Sequence, residues 1–270
     1  RHASERCVML TIDALCKTYP NGTQALEKIS LDVEAGEIVA LVGGSGCGKT
    51  TLLRMISGLE SPTRGHVAID GEPINAPHEA VGIVFQEARL LPWLTVAQNI
   101  SFGLDHLPKA ERDARVDEAL LRVGLAGYGH RWPRELSGGQ AQRVSIVRAL
   151  VTQPKALLLD EPFSALDALT RESLQDHLLA LWEQHRPTLV LVTHDVEEAV
   201  ALADRAIVLQ PKPGRIFADI PIDLPRPRDR LSHDFAEAKR LVLKALDGSI
   251  NQAHLHQPGR VQSPAAGGSF

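Results

Sequence analysis

The residues best suited to chemistry stand in one run, Gly43-Gly44-Ser45-Gly46-Cys47-Gly48-Lys49-Thr50, with a further hydroxyl beside it at Thr51. The run satisfies the pattern G-x-x-x-x-G-K-S/T and sits directly between an apolar stretch, IVALV, and an apolar helical segment, TTLLRMIS. Glycines let consecutive backbone N–H groups turn inward around a phosphate, and a helix N-terminus adds its positive dipole. Lys49 is placed to reach β and γ phosphates, and Thr50 to offer a hydroxyl to Mg2+. A glycine-rich strand-to-helix turn without a ligand is the plainer reading, and the complete pattern in this context outweighs it. A site for ATP with Mg2+ is therefore expected.

A second apolar stretch, ALLLD, ends in Asp160 and is followed by Glu161. A carboxylate at a strand end suits Mg2+, and the next one suits polarising a water molecule. With Glu161 as general base, the expected chemistry is hydrolysis as well as binding. Cys47 lies in the glycine run near a helix N-terminus, a setting that lowers a thiol pKa. Its alkylation is expected to block ATP binding, and ATP to protect it.

These groups converge only if the elements between them cooperate. Short β-branched runs at 38–42, 156–160 and 188–193 alternate with helical segments beginning at Thr50 and spanning about 170–184. Such alternation implies an α/β fold with a parallel sheet covered by helices on both faces. Smaller amphipathic strands at 8–14, 29–33 and 66–70, with turn signals such as Asn21-Gly22 and Asp70-Gly71, suggest an antiparallel β flap beside it. From about 90 to 153 helices dominate, as an inserted subdomain in which KAERDARVDEALLRVGL reads as an amphipathic helix with a wet outer face. Residues 1–230 are expected to form the main domain, and 231–270 a C-terminal helix and tail. That helix is expected at about 232–246, after the Pro/Arg-rich link PRPRDR, and the last dozen residues are expected to be disordered.

Bulk properties exclude several classes. A length of 270 residues corresponds to roughly 1.8 average domains. Hydrophobic residues at 44% and charged residues at 23% argue against fibrous, coiled-coil and wholly disordered chains. No apolar run approaches the ~20 residues of a membrane span. A net charge of −4 gives no global basic field for nucleic acid, so anions must be bound locally. Cys7, Cys16 and Cys47 form no disulfide framework or zinc ribbon, which fits a reducing compartment. The opening RHASERCVML lacks an apolar signal region and an initiator Met, so no secretory leader is expected and a trimmed start is. The histidines, His254 and His256 included, show no metal spacing, and no internal repeat is found.

Leu136-Ser137-Gly138-Gly139-Gln140, ahead of the helical AQRVSIVRALV and about twenty residues before Asp160, adds a third group. A Ser and two glycines at a helix start present a hydroxyl and N–H groups to an anion. A simple N-cap role for Ser137 is the alternative. In this place the motif resembles the signature of ATP-binding cassette (ABC) proteins, and over about residues 8–220 the sequence is similar to a nucleotide-binding subunit of that family. The resemblance implies a RecA-like P-loop core. It makes Tyr19 the aromatic that stacks on adenine, and Gln86 the switch residue near Mg2+ and water. Asp167 becomes a cross-dimer carboxylate and His194 the γ-phosphate switch. Ser137 to Gln140 would close over ATP held by a second copy, giving a head-to-tail homodimer. Gly44, where Pro is frequent, and Ala141, where longer side chains are usual, depart from the pattern without removing a catalytic group.

After Gln86, the segment EARLLPWLTVAQNI groups Leu90, Leu91, Pro92 and Trp93. An exposed apolar group marks a partner surface, with core packing of Trp93 as the alternative. The family resemblance implies that two transmembrane permease subunits dock there, with a periplasmic or lipid-anchored solute-binding protein in the complex and the chain peripheral on the cytoplasmic face of the inner membrane. ARLLPWLTVAQNI, EPFSALDALTR, DVEEAVALADR and PRPR resemble importer ATPases for aliphatic sulfonates, taurine and nitrate, with the sulfonate type favoured. A soluble ABC ATPase without a membrane partner is the rival class; it would be expected to carry tandem cassettes or a coiled-coil insertion.

Overall fold

A computed structural model describes residues 7–255. The expected disordered tail and His256 lie outside these residues. In chain order the elements are β1 (Val8–Thr18), β2 (Gln24–Glu34), β3 (Ile38–Val42), α1 (Lys49–Ile56), β4 (Arg64–Ile69), β5 (Glu72–Pro73) and β6 (Val81–Val84). There follow α2 (Val96–Ser101), α3 (Lys109–Arg122), α4 (Gly138–Leu150), β7 (Ala156–Asp160), α5 (Ala168–His185) and β8 (Thr188–Thr193). The chain continues with α6 (Val196–Leu202), β9 (Arg205–Gln210), β10 (Arg215–Pro221) and α7 (His233–Leu255).

The main sheet runs β10-β9-β3-β8-β7-β6. All its pairs are parallel except β9 with β10. A second sheet, β2-β1-β4-β5, is antiparallel throughout and is the expected flap. The fold is that of a P-loop NTPase of the α/β class.

Continuous apolar runs in the parallel strands reflect burial on both faces. Along β3, Ile38, Ala40 and Val42 pack with Val144 of α4, Leu178 of α5 and Val200 of α6. Val39 and Leu41 face the other way, onto Leu52 and Leu53 of α1 and onto Leu10, Ile12 and Leu31 of the flap. Each Leu, Ile or Val so buried contributes roughly 1.5–3 kcal/mol. The helical insert is built as its sequence suggests. On α3, Val116 and Leu120 turn inward, while the i,i+4 pairs Lys109–Asp113, Arg115–Glu111 and Arg122–Glu118 lie outward.

One expectation differs from the structure. The C-terminal helix does not stop near 246 but runs to Leu255. Gly248 lies inside it and lets the Phe217 ring approach: an added Cβ would lie 3.1 Å from its Cζ. Ser249 is buried and returns its hydroxyl to the Leu246 carbonyl at 2.7 Å. The PRPRDR link is held firmly. Arg228 is 2% exposed and donates to the carbonyls of Val200 and Ala203, both at 2.6 Å, while Arg226 donates to Leu202 at 2.6 Å. These guanidiniums satisfy the last carbonyls of α6, where a cation is also favoured by the helix dipole. Burial lowers the Arg228 pKa to about 10. Arg226 also stacks on Trp182, 4.8 Å from its ring centroid, and pairs with Asp204 at 2.8 Å.

Because Arg228→Ala would orphan several buried carbonyls, it is expected to lower unfolding free energy by about 2–3 kcal/mol. Urea unfolding measures this, and an unchanged midpoint would contradict it.

Candidate functional site

The carboxyl ends of β3, β8 and β7 are held side by side by ladder register, Val42 opposite Thr193 and Asp160 opposite Val192. The turn after β3, the end of β7 and the residue after β8 therefore share one edge of the sheet. This is where ligands bind in open parallel sheets.

Residues 43–48 form the turn, and Lys49 begins α1. Gly48 has φ +94°, and an added Cβ would come within 2.5 Å of Leu26 Cδ2, so both backbone and space demand glycine there. No side chain caps α1 and its first turn holds no acid. Its N–H groups and positive dipole end are thus free to face an anion. Lys49 is 7% exposed and donates from Nζ to the carbonyl of Gly43 at 2.7 Å and, more weakly, of Gly44 at 3.4 Å. An added Cβ at Gly44 would meet nothing within 4 Å, so the departure noted there leaves the turn sterically unaltered.

Ser45 to Thr51, with Glu161 and His194, line a pocket of about 430 Å³. Thr50 Oγ1 donates to Asp160 Oδ1 at 3.3 Å. Burial pushes the Asp160 carboxyl above its usual range, against the opposing pull of that bond. Glu161 has φ +47°, a sparsely populated region for a bulky residue. It is held there by its N–H on the Val192 carbonyl at 2.9 Å. Its Oε2 lies 3.0 Å from His194 Nδ1, and His194 is 62% exposed. Strain of this kind points to a functional position.

The remaining candidates lie at graded distances from this pocket. Tyr19 touches its rim, with its hydroxyl 3.3 Å from Thr51 Oγ1 and also bonded to Glu60. Gln86 is exposed just past β6 and does not belong to the pocket lining. Ser137 to Gln140 do not line it either. Ser137 caps α4 in a capping box, its Oγ accepting from Gln140 N at 3.3 Å and its own N donating to Gln140 Oε1 at 3.0 Å. Gly138 faces open space, whereas a Cβ on Gly139 would meet Thr170 at 2.7 Å. Asp167 caps α5 by accepting from Thr170 N at 3.0 Å, and its carboxyl is held below the usual range by hydrogen bonds from Thr170.

Sequence reasoning overlooked the side chains that hold the loop after Gln86. Gln142 donates to the Phe85 carbonyl at 3.1 Å, and Arg148 to the carbonyls of Ala88 and Arg89 at 3.2 and 3.1 Å. Asn99, fully buried, accepts from Leu91 N at 2.8 Å and donates to the carbonyls of Leu91, Leu94 and Thr95, each at 3.1 Å. The only advance sign was a polar residue in the apolar frame of α2. The apolar group itself divides: Leu90 packs on the core, Leu91 is half-buried, and Trp93 is 68% exposed.

Cys47 is corrected. It is wholly buried, and burial raises its thiol pKa despite Lys49 Nζ at 3.9 Å. Desolvation here outweighs the nearby charge and helix end.

Residues 26–164 match the family described as ABC transporter. An aliphatic sulfonates import ATP-binding protein of Xanthomonas axonopodis pv. citri is 51% identical over 228 residues, covering 83% of this chain and 90% of its own. An uncharacterized ABC transporter ATP-binding protein of Methanocaldococcus jannaschii is 45% identical over 248 residues, covering 90% of this chain and 93% of its own. Among solved structures, a dimeric ATP-binding cassette in a post-hydrolysis state bound to ADP and Pi is 34% identical, with a TM-score of 0.71 over 80% of this chain and 100% of that one.

A maleimide at neutral pH is expected to label exposed Cys7 and to leave Cys47 unmodified, with or without ATP, until the chain is unfolded. Mass mapping of labelled peptides decides this. Rapid modification of Cys47 in the folded chain would contradict its burial and raised pKa.

Proposed function

The chain belongs to the ABC transporter family, whose cassettes hydrolyse ATP, and from that premise we propose that it is the ATP-hydrolysing subunit of an importer for aliphatic sulfonates. The observation that carries the hydrolytic reading is the pocket in which Lys49, the Thr50–Asp160 pair and the Glu161–His194 pair converge. The solute is taken from relatives such as the Xanthomonas protein, since no residue of this site would touch it.

In this reading the phosphates of ATP lie against the N–H groups of Ser45 to Thr50, and Lys49 exchanges its carbonyl partners for phosphate oxygens. Tyr19 and Thr51 border the nucleoside end. The hydroxyl of Thr50 and the half-buried carboxylate of Asp160 are hard oxygen donors of the kind Mg2+ takes. Asp160 has a raised pKa and, among the described residues, only the Thr50 hydroxyl for a hydrogen-bond partner, so the pair suits a cation. When bound, with Gln86 nearby, Mg2+ would neutralise phosphate charge. Glu161 orients and deprotonates the attacking water, and His194 holds Glu161 while facing the γ-phosphate.

Ser137, Gly138, Gly139 and Gln140 act on ATP held by a second copy, with Asp167 crossing between the copies. Capping of α4 by Ser137 is compatible with this, because a capped helix end still offers N–H groups and Gly138 leaves room for a phosphate. Pro92 and Trp93 face a transmembrane subunit, and closure of the dimer moves them through the loop that begins at Gln86. Among the described residues no helix is long and apolar enough to cross a membrane. The permease pair, the solute-binding protein and the cytoplasmic face of the membrane complete the assembly. Residues 1–230 form the ATPase domain, with the helical insert at about 90–153.

Glu161→Gln is expected to keep ATP binding and to lower hydrolysis at least about 100-fold, the scale of a lost general base. Hydrolysis at the parent rate, read by phosphate release, would remove Glu161 from that role. For the transport reading, vesicles carrying the assembled importer should take up an alkanesulfonate in an ATP-dependent way. Trp93→Ala should cut that uptake several-fold and leave basal hydrolysis intact. Uptake of nitrate or taurine in its place would reassign the solute.

A further inference from the structure

Arg171, on the first turn of α5, is placed in no role by the reading above. We infer that Arg171 is a positioning residue that ties the turn carrying Asp167 to the backbone carrying His194. The inference rests on the reading of Glu161 and His194 as the hydrolytic pair.

One guanidinium faces three neighbours. Arg171 Nη2 donates to the carbonyl of Leu166 at 2.9 Å, immediately before Asp167. Its Nη1 lies 3.7 Å from Asp195 Oδ2 and its Nε 3.8 Å from Glu198 Oε1. Arg171 Nε is buried and makes no hydrogen bond. The interaction with Glu198 is therefore an ion pair just short of hydrogen-bond contact, which an approach of a few tenths of an ångström would close.

The two acids flank His194 in a definite way. Glu198 is buried, and its Oε2 accepts from Thr193 Oγ1 at 2.6 Å. Thr193 Oγ1 in turn accepts from Asp195 N at 2.9 Å. Residues 193 and 195 are thus locked together on either side of His194, whose Nδ1 meets Glu161 Oε2 at 3.0 Å. The side of α6 that faces α7 is fixed separately, by Glu197 in the first turn and by Arg228 at the far end. Glu197 pairs with Lys239 of α7 at 2.7 Å and with Arg230 at 3.8 Å, and Arg228 closes the last carbonyls. With α6 pinned from that side, Arg171 is the cation that joins its first turn to the Asp167 turn.

Removing the guanidinium leaves Glu198 buried beside Asp195 without its counter-charge, a situation that draws in water or a proton. Either event loosens Thr193 and lets His194 drift from Glu161. Displacements of that order at a reacting centre cost up to about 100-fold in rate while leaving binding of the remote parts of the substrate intact. The same guanidinium gives a second copy, pressing on the Asp167 turn, a route to the Glu161–His194 pair in this one.

The test is steady-state ATP hydrolysis by the full chain, with nucleotide affinity measured separately. Arg171→Met is expected to lower kcat about 10- to 100-fold while KM and ATP affinity shift by less than about threefold, the pattern of a lost transition-state interaction. Arg171→Lys keeps the charge on Glu198 and Asp195 and should recover most of the loss. Glu198→Gln keeps an acceptor for Thr193 without needing a cation. Adding it to Arg171→Met should therefore cost much less than the product of the two single effects. His194→Ala is the reference. If it hydrolyses ATP at the parent rate, the hydrolytic-pair reading fails and this inference with it. If His194→Ala is inactive and folded Arg171→Met keeps the parent kcat, only the role of Arg171 fails. Should Arg171→Met not fold, Arg171→Lys and Glu198→Gln decide the matter. Equal losses in kcat and affinity for both would reduce Arg171 to a structural ion pair and overturn the inference.

Discussion

Burial of β3 on both faces is the constraint from which the site follows. With helices on one side and α1 and the flap on the other, none of its five residues can shift without opening a core. Ladder bonds carry that rigidity sideways to β8 and β7. Every group in the pocket is attached within a residue or a turn of one of these strand ends. Angstrom-scale arrangement of Lys49, Thr50, Asp160, Glu161 and His194 therefore begins with the sheet, and side-chain bracing such as that around His194 refines it.

Charge is handled locally throughout. A mildly acidic chain offers no field to attract a polyanion, and its cationic groups are spent at short range. Lys49 rests on carbonyls of its own turn, Arg148 on carbonyls of the loop after Gln86, and Arg226 and Arg228 on the last carbonyls of α6. Each cation rests on backbone dipoles, and Arg226 and Arg228 have Asp204 as well. The Lys49 contact sits in an open pocket and is exchangeable; the Arg228 contact is buried and is not.

What the sequence made legible was whatever repeats a local rule. The glycine run, the apolar strands, the amphipathic α3 and the capping sequence at Ser137 each declare themselves within a few residues. Less legible was anything decided by distant neighbours. The place of Gly248 inside α7 is set by Phe217, whose ring needs the space. PRPRDR reads as a linker because nothing nearby shows that its arginines end on α6. The thiol of Cys47 looks activated by its helix end, yet desolvation by the surrounding core has the larger effect. Asn99, Arg148 and Arg171 bond chiefly to backbone atoms or to acids far along the chain, and such partners leave no mark on local pattern.

The loop from Phe85 to Thr95 is gripped by its carbonyls and amides, through Asn99, Gln142 and Arg148, with Leu90 packed beneath it on the core. Shape and identity are thereby uncoupled along this segment. Its contour is set from beneath, while the outward residues Pro92 and Trp93 can be exchanged without disturbing it. A cassette built this way keeps the outline of this segment separate from the residues it displays, so that its exposed face and the machinery that consumes ATP are set by different parts of the chain.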